Sequence, residues 1–365
     1  MKIEIVCFTG NSGLTDYSVS LARAIAKSFD TLVVTSQSLP ERFDAMGFSV
    51  ERVFRRSRHY PIDLFRFIAG VLSRKPDWII FQGPLKLPIL DGMAVRLIRL
   101  FGVNAAITVH DVLPHYPRPW SALESGFYYR SFNRVIVHSE AALAGVRALG
   151  VKREVLVVPH GIYDIFNLTS IDRTQARAKI GRLNAEDFVV LFFGHLEPRK
   201  GLMEFIAAAE VFQSHANVKF LIAGESSLTS HGSSYVNRLI EAKALPNVIV
   251  HDHRIDFENV ENYFAACDVV ALPYLEGTTS GVLKLALAFG KPVVATRVGD
   301  FPEQVPTGAG VLIENDDVIV VSLCDAIEQI KSNQFSYTTA MSTANHVAQW
   351  PVIADRVVAY LEKNK

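Results

Sequence analysis

The sequence is poor in cysteine. Its 365 residues hold three, Cys7, Cys267 and Cys324, far apart and each in an apolar run. So sparse and odd a count argues against a disulfide framework and for a reducing compartment, with the thiols packed as small hydrophobes. Neither sign of charge is in excess, since 37 Lys and Arg face 37 Asp and Glu. A dedicated nucleic-acid binder is usually basic, so no nucleic-acid partner is expected. No apolar run reaches the roughly 18 residues of a membrane-spanning helix. The opening MKIEIVCFTG lacks the layout of a secretory signal. H-E-x-x-H, C-x-x-C, D-x-D and G-x-S-x-G are missing, so neither a metal site nor a hydrolase serine is signalled. His251 and His253 flank Asp252, but without further ligands no metal is expected there. There is no internal repeat of about 20–50 residues and no low-complexity tract.

What is present is globular. Hydrophobic residues make up 49% and charged residues 20% of the chain. At about 150 residues per domain this length suits two domains, each able to bury a core. The overall charge balance hides a split. Residues 1–165 carry 20 basic against 14 acidic residues, and the remainder 17 against 23. A basic first half suits an anionic partner, and equally a plain solvated face.

Short apolar runs alternate with amphipathic segments. Residues 2–8, 31–35, 78–81, 105–109, 135–137 and 155–158 read as strands, with a helix at 17–28. The pattern restarts after a polar stretch at 166–186. Strands are predicted at 188–193, 219–223, 248–251, 269–272, 292–296 and 310–313, with helices at 201–213 and 281–289. Strand–helix alternation predicts an α/β chain of two doubly wound, Rossmann-like domains with parallel sheets. They are expected at 1–165 and 166–350, facing across a cleft. A closing helix at 351–365 is expected to pack back towards the first domain.

In open parallel sheets ligands bind beyond the carboxyl ends of the strands, so the loops that follow strands carry the candidate residues. Gly10-Asn11-Ser12-Gly13 follows the first strand, and is either a tight turn or an anion cradle at a helix N-terminus. His110 and Asp111 end another strand, where an imidazole can trade protons with a reacting hydroxyl or phosphate. Gly194-His195-Leu196-Glu197-Pro198-Arg199-Lys200-Gly201 sets two cations and an imidazole on a Gly-flanked turn, able to neutralise a diphosphate leaving group. Glu276-Gly277-Thr278-Thr279-Ser280-Gly281-Val282 places three hydroxyls before a helix. They form a second anion cradle, unless Ser280 is simply the cap.

Taken together these segments resemble glycosyltransferase family 4, the group 1 glycosyltransferases, which have the GT-B fold. The likeness is strongest over 188–304. There LFFGHLEPRKGLMEFIAAAE resembles the family's strand, G-R-x-x-x-x-K-G loop and helix, and YFAACDVVALPY and LALAFGKPVVATRVGDFPEQV resemble the stretches that follow. In the first half the Gly-rich turn, TVHD, VIVHSE and VVPHGIYD match more loosely.

The resemblance implies a metal-independent, retaining hexosyl transfer from a UDP-sugar or GDP-sugar, with no other cofactor. The second domain would hold the donor and the first the acceptor. Lys200 matches the family lysine on the donor diphosphate, His195 stands at the arginine position with Arg199 beside it, and His110 matches the histidine near the reaction centre. Gly13, Glu276, Thr278, Thr279, Ser280, Gly281 and Val282 would line the donor, and Asn11, Ser12 and Asp111 the acceptor. One departure is plain. The family's E-x7-E pair falls on Gly277 and Leu285, so donor contacts are altered there, or the chain is an inert relative that binds a nucleotide sugar or a partner transferase.

Arg52–Tyr60, rich in arginine and followed by Leu64, Phe65 and Ile68, suits an anionic membrane surface or a polyprenyl-pyrophosphate-linked glycan acceptor, and equally a soluble basic face. The expectation is a cytoplasmic protein, free or peripheral on the inner face of the cell membrane, in bacterial surface-polysaccharide assembly.

Overall fold

The computed structural model describes residues 1–55, 57–114, 117–215, 217–226, 232–277, 280–344 and 348–363, the side chains of 232–234 and 344 excepted. The chain divides into two compact units, Met1–Gly161 with Val347–Lys365, and Ile162–His346.

The first unit holds strands β1 (Lys2–Val6), β2 (Asp30–Ser36), β3 (Ser49–Phe54), β4 (Trp78–Gln82), β5 (Asn104–Thr108), β6 (Arg134–Val137) and β7 (Val155–Val157). They are joined through helices α1 (Gly13–Ile25), α2 (Tyr60–Arg74), α3 (Pro88–Leu100), α4 (Ser121–Tyr129) and α5 (Glu140–Ala148). All pair in parallel, in the order β3-β2-β1-β4-β5-β6-β7. The second unit holds α6 (Arg173–Ile180), β8 (Phe188–Phe193), α7 (Leu202–Val211), β9 (Val218–Gly224), α8 (Gly232–Ala242), β10 (Val248–Asp252), α9 (Val260–Ala266), β11 (Val269–Leu272), α10 (Gly281–Ala288), β12 (Val293–Thr296), α11 (Phe301–Gln304), β13 (Gly310–Ile313), α12 (Ile319–Ser332) and α13 (Gln334–Ala344). Its parallel order is β10-β9-β8-β11-β12-β13. The expected α/β architecture of two doubly wound sheets is present.

In both sheets the strand order reverses beside the first strand, between β1 and β4 and between β8 and β11. That reversal opens a crevice at the carboxyl ends of the two central strands. β8 and β11 are buried along nearly their whole length, which explains their unbroken apolar sequences.

The structure corrects several expectations. α1 starts at Gly13 rather than residue 17, because Ser12 caps it by accepting from the Thr15 amide. β3 was not expected as a strand. It is an edge strand, half-exposed, and its S-V-E-R-V-F sequence alternates instead of running apolar. β3 and the start of α2 also absorb most of the supposed membrane-binding stretch. Arg52 pairs with Asp44 and Arg55 with Asp63, while Phe54, Tyr60 and Leu64 are buried.

The units part at 161/162, not 165/166, since Ile165 and Phe166 are buried and the Phe166 ring packs at a tilt against Phe257 with ring centroids 4.5 Å apart. Trp350, expected at the end of the second domain, belongs to the first. It opens α14 (Trp350–Glu362), which packs on α1, and its ring meets Tyr17 at 5.0 Å. A Cβ on Gly161 would stand 2.4 Å from that indole, so the ring fills the space a side chain would need.

Candidate active site

In the second unit the loops after β8 and β11 close on each other. Gly194 takes φ +101° and Gly201 φ +72°, conformations that a glycine adopts without strain. A Cβ on Gly201 would stand 1.8 Å from the Pro273 carbonyl oxygen, and one on Gly224 equally close to the Gly194 carbonyl oxygen. The Arg199 carbonyl accepts from the amides of Leu275 at 2.8 Å and Glu276 at 3.2 Å. Backbone contacts of this kind fix the loops before any side chain acts.

Lys200 is buried by that arrangement. Its Nζ lies 5.7 Å from the centroid of the Tyr274 ring, and a Cβ on Gly194 would touch both that Nζ and Val282 at 3.4 Å. Among the described residues the ammonium has no carboxylate within ion-pairing distance. Burial pulls it down to about 8, with Glu197 opposing and Arg199 assisting that shift. Val282 lies in the first turn of α10, so the cation and the free amides of a helix start are neighbours, a pairing suited to an anion.

The other predicted residues of this unit sit as follows. His195 is exposed. The half-exposed guanidinium of Arg199 is held by Glu197 at 2.6 Å. Glu276 is exposed and Gly277 leaves open space apart from the edge of Tyr274. Ser280 caps α10, accepting from the Leu283 amide at 3.3 Å, and its hydroxyl meets that of Tyr274 at 3.2 Å. Gly281 faces the ring of Tyr163, 3.4 Å from where a Cβ would be. Thr278 and Thr279 lie outside the described residues.

Leu285 is buried in α10, where an acidic side chain could not be solvated. Beside it Lys284, also buried, donates through Nζ to the Gln304 amide oxygen, and burial pulls its ammonium down to about 8. In the sequence GVLKLALA this lysine gives no sign of its burial. At the end of β10, His251 Nδ1 bonds the Tyr263 hydroxyl at 2.8 Å and lines a cavity of about 270 Å³ with His253, Arg254 and Lys179. Among the described residues no group of three or more His, Cys, Asp or Glu side chains could hold a metal ion.

In the first unit three histidines, each just after a different strand, gather around Tyr17. Ring centroids lie 4.7 Å from Tyr17 for His110, 5.3 Å for His138 and 4.9 Å for His160. His110 Nε2 meets the Gln82 amide oxygen at 3.0 Å, and His138 Nδ1 donates to the Val158 carbonyl at 3.1 Å. Burial and the neighbouring His138 push His110 well below the usual histidine value, so its ring is neutral at pH 7. A neutral imidazole with one nitrogen bonded to an amide oxygen is a fixed donor, and its other nitrogen accepts.

Sequence reading singled out only His110 of the three. The signal for the others was their position directly after a strand. Asp111 is half-buried, and its carbonyl accepts from the Tyr129 hydroxyl at 3.0 Å. In the Gly-rich turn Asn11 is exposed, Gly13 starts α1, and the Ser12 hydroxyl bonds Thr9 at 2.6 Å besides capping the helix.

Residues 187–333 match the family model described as "Glycosyl transferases group 1", and residues 12–161 match "Glycosyl transferase 4-like domain". The chain is 30% identical over 338 residues to the D-inositol 3-phosphate glycosyltransferase of Segniliparus rotundus, covering 84% of this chain and 74% of that protein. To the enzyme of the same name from Arthrobacter sp. it is 28% identical over 160 residues, which is 43% of this chain and only 38% of that protein. Among solved structures it is similar to Anabaena Alr3699/HepE in complex with UDP and glucose, with a TM-score of 0.75 at 19% identity over all of both chains. It is also similar to the sucrose-phosphate synthase of Thermosynechococcus elongatus, with a TM-score of 0.73 at 19% identity over 99% of this chain and 98% of that one. These structural likenesses establish the fold, the two-domain GT-B architecture.

Proposed function

The chain belongs to the group 1 glycosyl transferases, and from that premise we propose that it is an active, retaining enzyme moving a hexose from a nucleotide sugar to a glycan or lipid-linked glycan. The observation that carries this reading is the buried, carboxylate-free Lys200 beside the first turn of α10, at the strand-order reversal of the second unit. A buried cation without a counter-ion is costly to the fold, and an anionic ligand repays that cost. The HepE structures hold UDP, UDP with glucose, and UDP-glucose, which supports a uridine donor here.

In this reading the second unit binds the donor, with the diphosphate against Lys200, Arg199, His195 and the amides of Gly281 and Val282. These groups stabilise charge on the leaving phosphate as the glycosidic C–O bond breaks, so that no metal is needed. The leaving phosphate oxygen then takes the proton of the acceptor hydroxyl, whose oxygen bonds to the anomeric carbon from the same face. The first unit binds the acceptor, with the neutral His110 accepting from a sugar hydroxyl through the nitrogen that Gln82 leaves open, and with Asn11, Ser12 and Asp111 on the acceptor side. A polyprenyl-pyrophosphate-linked acceptor would place the enzyme at the inner membrane face, in surface-polysaccharide assembly.

The buried Leu285, in place of the second family glutamate, favours one other reading: a relative that binds a nucleotide sugar without transferring it. Thermal shifts with UDP, GDP, ADP and their common sugars test the first step, because a ligand that binds the folded state raises its stability. A shift with one nucleotide, followed by transfer in an acceptor screen, is the expected result. Binding without transfer selects the inert relative, and no shift with any nucleotide overturns the donor assignment.

A further inference from the structure

Solvent-facing positions on a helix are ordinarily polar, and α3 breaks that rule. Its inner face, Val95 and Ile98 among others, is fully buried on the sheet. Its outer face is also apolar: Ile89, Met93, Leu97 and Leu100 follow one another at helical spacing with relative exposures of 41, 58, 41 and 80%. α3 packs against α2 on one side and α4 on the other. α2 adds Phe65 at 73% exposure and α4 adds Leu123 at 76%. Three adjacent helices thus each expose large apolar side chains.

The exposed charge of α2 and α3 has one sign, and α4 sets a single half-buried carboxylate, Glu124, beside it. α2 and α3 each contain one aspartate, Asp63 and Asp91, and both are fully buried. Asp63 is spent on Arg55, and Asp91 accepts from the Tyr60 hydroxyl and the Lys86 amide. The remaining charges of the two helices are arginines. Arg74 is neutralised by Glu4 and Glu51. Arg66, Arg96 and Arg99 have no carboxylate partner among the described residues. Arg96 lies over the Phe127 ring, 4.2 Å from its centroid, and donates through Nε to the Ser131 hydroxyl, whereas the half-buried Arg99 donates to the Ser131 carbonyl.

We propose that the outer face of α2, α3 and α4 docks the first unit onto an anionic lipid surface. Apolar side chains on neighbouring helices enter the acyl boundary, while the exposed Arg66 and Arg96, which have no carboxylate partner among the described residues, meet acidic headgroups. A second protein chain is the less fitting occupant. A self-associating face repeats its own charge, and the exposed Arg66 and Arg96 would meet their copies with Glu124 as the one carboxylate of α2, α3 and α4 that is not fully buried. The proposal deepens the lipid-linked-acceptor part of the functional reading by naming the docking surface, and its test does not use activity, so the two fail separately.

The test is flotation of the full chain with vesicles of phosphatidylcholine alone and of phosphatidylcholine mixed with phosphatidylglycerol. Wild type is expected to float with the mixed vesicles only, and less so as salt is raised. Met93→Gln, Leu97→Gln and Leu100→Gln together are expected to lower the bound fraction about tenfold or more with an unchanged unfolding midpoint. Arg66→Glu, at an exposed position on α2, is expected to weaken binding to the mixed vesicles. Wild type remaining in the soluble fraction overturns the proposal. So does binding that the glutamine triple and Arg66→Glu leave intact, or a dimer in sedimentation that the triple dissociates, which would give the face to a second copy.

Discussion

Gly201 and Pro273 meet backbone to backbone: the space where Gly201 would carry a Cβ is occupied, at 1.8 Å, by the Pro273 carbonyl oxygen. The loop holding Lys200 and the loop leaving β11 are therefore held together by the absence of a side chain. Gly201 also sits at φ +72°, where any L-residue is strained. Gly201→Ala is expected to destabilise the second unit by about 3 kcal/mol or more, from strain and overpacking together. Nucleotide binding should fall with it. Unfolding followed by circular dichroism checks this, and a near-native midpoint would mean that the two loops can part without cost.

Lys200 titrates near pH 8, and the sign of the effect on binding follows. A diphosphate favours the charged form, so affinity holds below that pH and falls as pH rises through it, by up to about tenfold per unit. For the unbound fold the sign is opposite. Between about 8 and the ordinary lysine value of 10.5 the unfolded chain holds a proton the native state has lost, so stability from this group rises with pH. Lys200→Ala is expected to lower turnover about 10²-fold or more and to flatten the pH dependence of nucleotide affinity. Calorimetric titration across pH 7–10 checks it. A wild-type pH slope surviving in the variant would move the anion contact to another group, Lys284 first.

Much of this was legible in the sequence for a physical reason. Strands buried on both faces, such as FVVLFF at 188–193, are apolar throughout and stand out, and the Gly-flanked turn after it marks the strand end. β3 was not legible because an edge strand exposes half its residues and so alternates. Trp350 was assigned to the wrong unit because its partner Tyr17 is remote along the chain, and only folding brings the rings together. The histidine cluster was one-third visible. His138 and His160 are single residues in different loops, and their convergence on His110 depends on β5, β6 and β7 being successive neighbours in a sheet. Lys284 was invisible because an apolar helix with one lysine reads as a half-solvated element.

His110 is held neutral well below its usual range, in contact with Tyr17 and Gln82. If it works on the acceptor side, His110→Ala should lower turnover about 10²-fold while leaving nucleotide affinity, which the proposal assigns to the second unit, nearly unchanged. The pH–rate profile of the wild type should also lack an acid limb at 6.5, since the ring gains its proton only at lower pH. An unchanged turnover in the variant would reduce the cluster to packing, and a fall in nucleotide affinity alone would move His110 to the donor side.

Asp268 ties several segments of the second unit together through one buried charge. Its carboxylate accepts from Arg177 at 2.8 Å, from the half-exposed Arg173 at 2.9 Å, from the Val189 amide at 2.8 Å and from Gln334 at 3.0 Å. Both members of the Asp268–Arg177 pair are nearly inaccessible, with side-chain exposures of 3%. Arg177 spends its other donors on the carbonyls of Asn184, Ala185, Asp187 and Ala266, so it ties α6 and the segment before β8 to the start of β11. Asp268→Asn keeps the shape and removes the charge, leaving a buried guanidinium without its counter-ion. The expected loss is about 3–5 kcal/mol. Combining it with Arg177→Met should recover part of that loss, because the penalty lies in the unpaired charge rather than in the missing pair. Urea unfolding of the three variants checks this: a double variant as unstable as the sum of the singles would show that Arg177 acts through its carbonyl contacts alone.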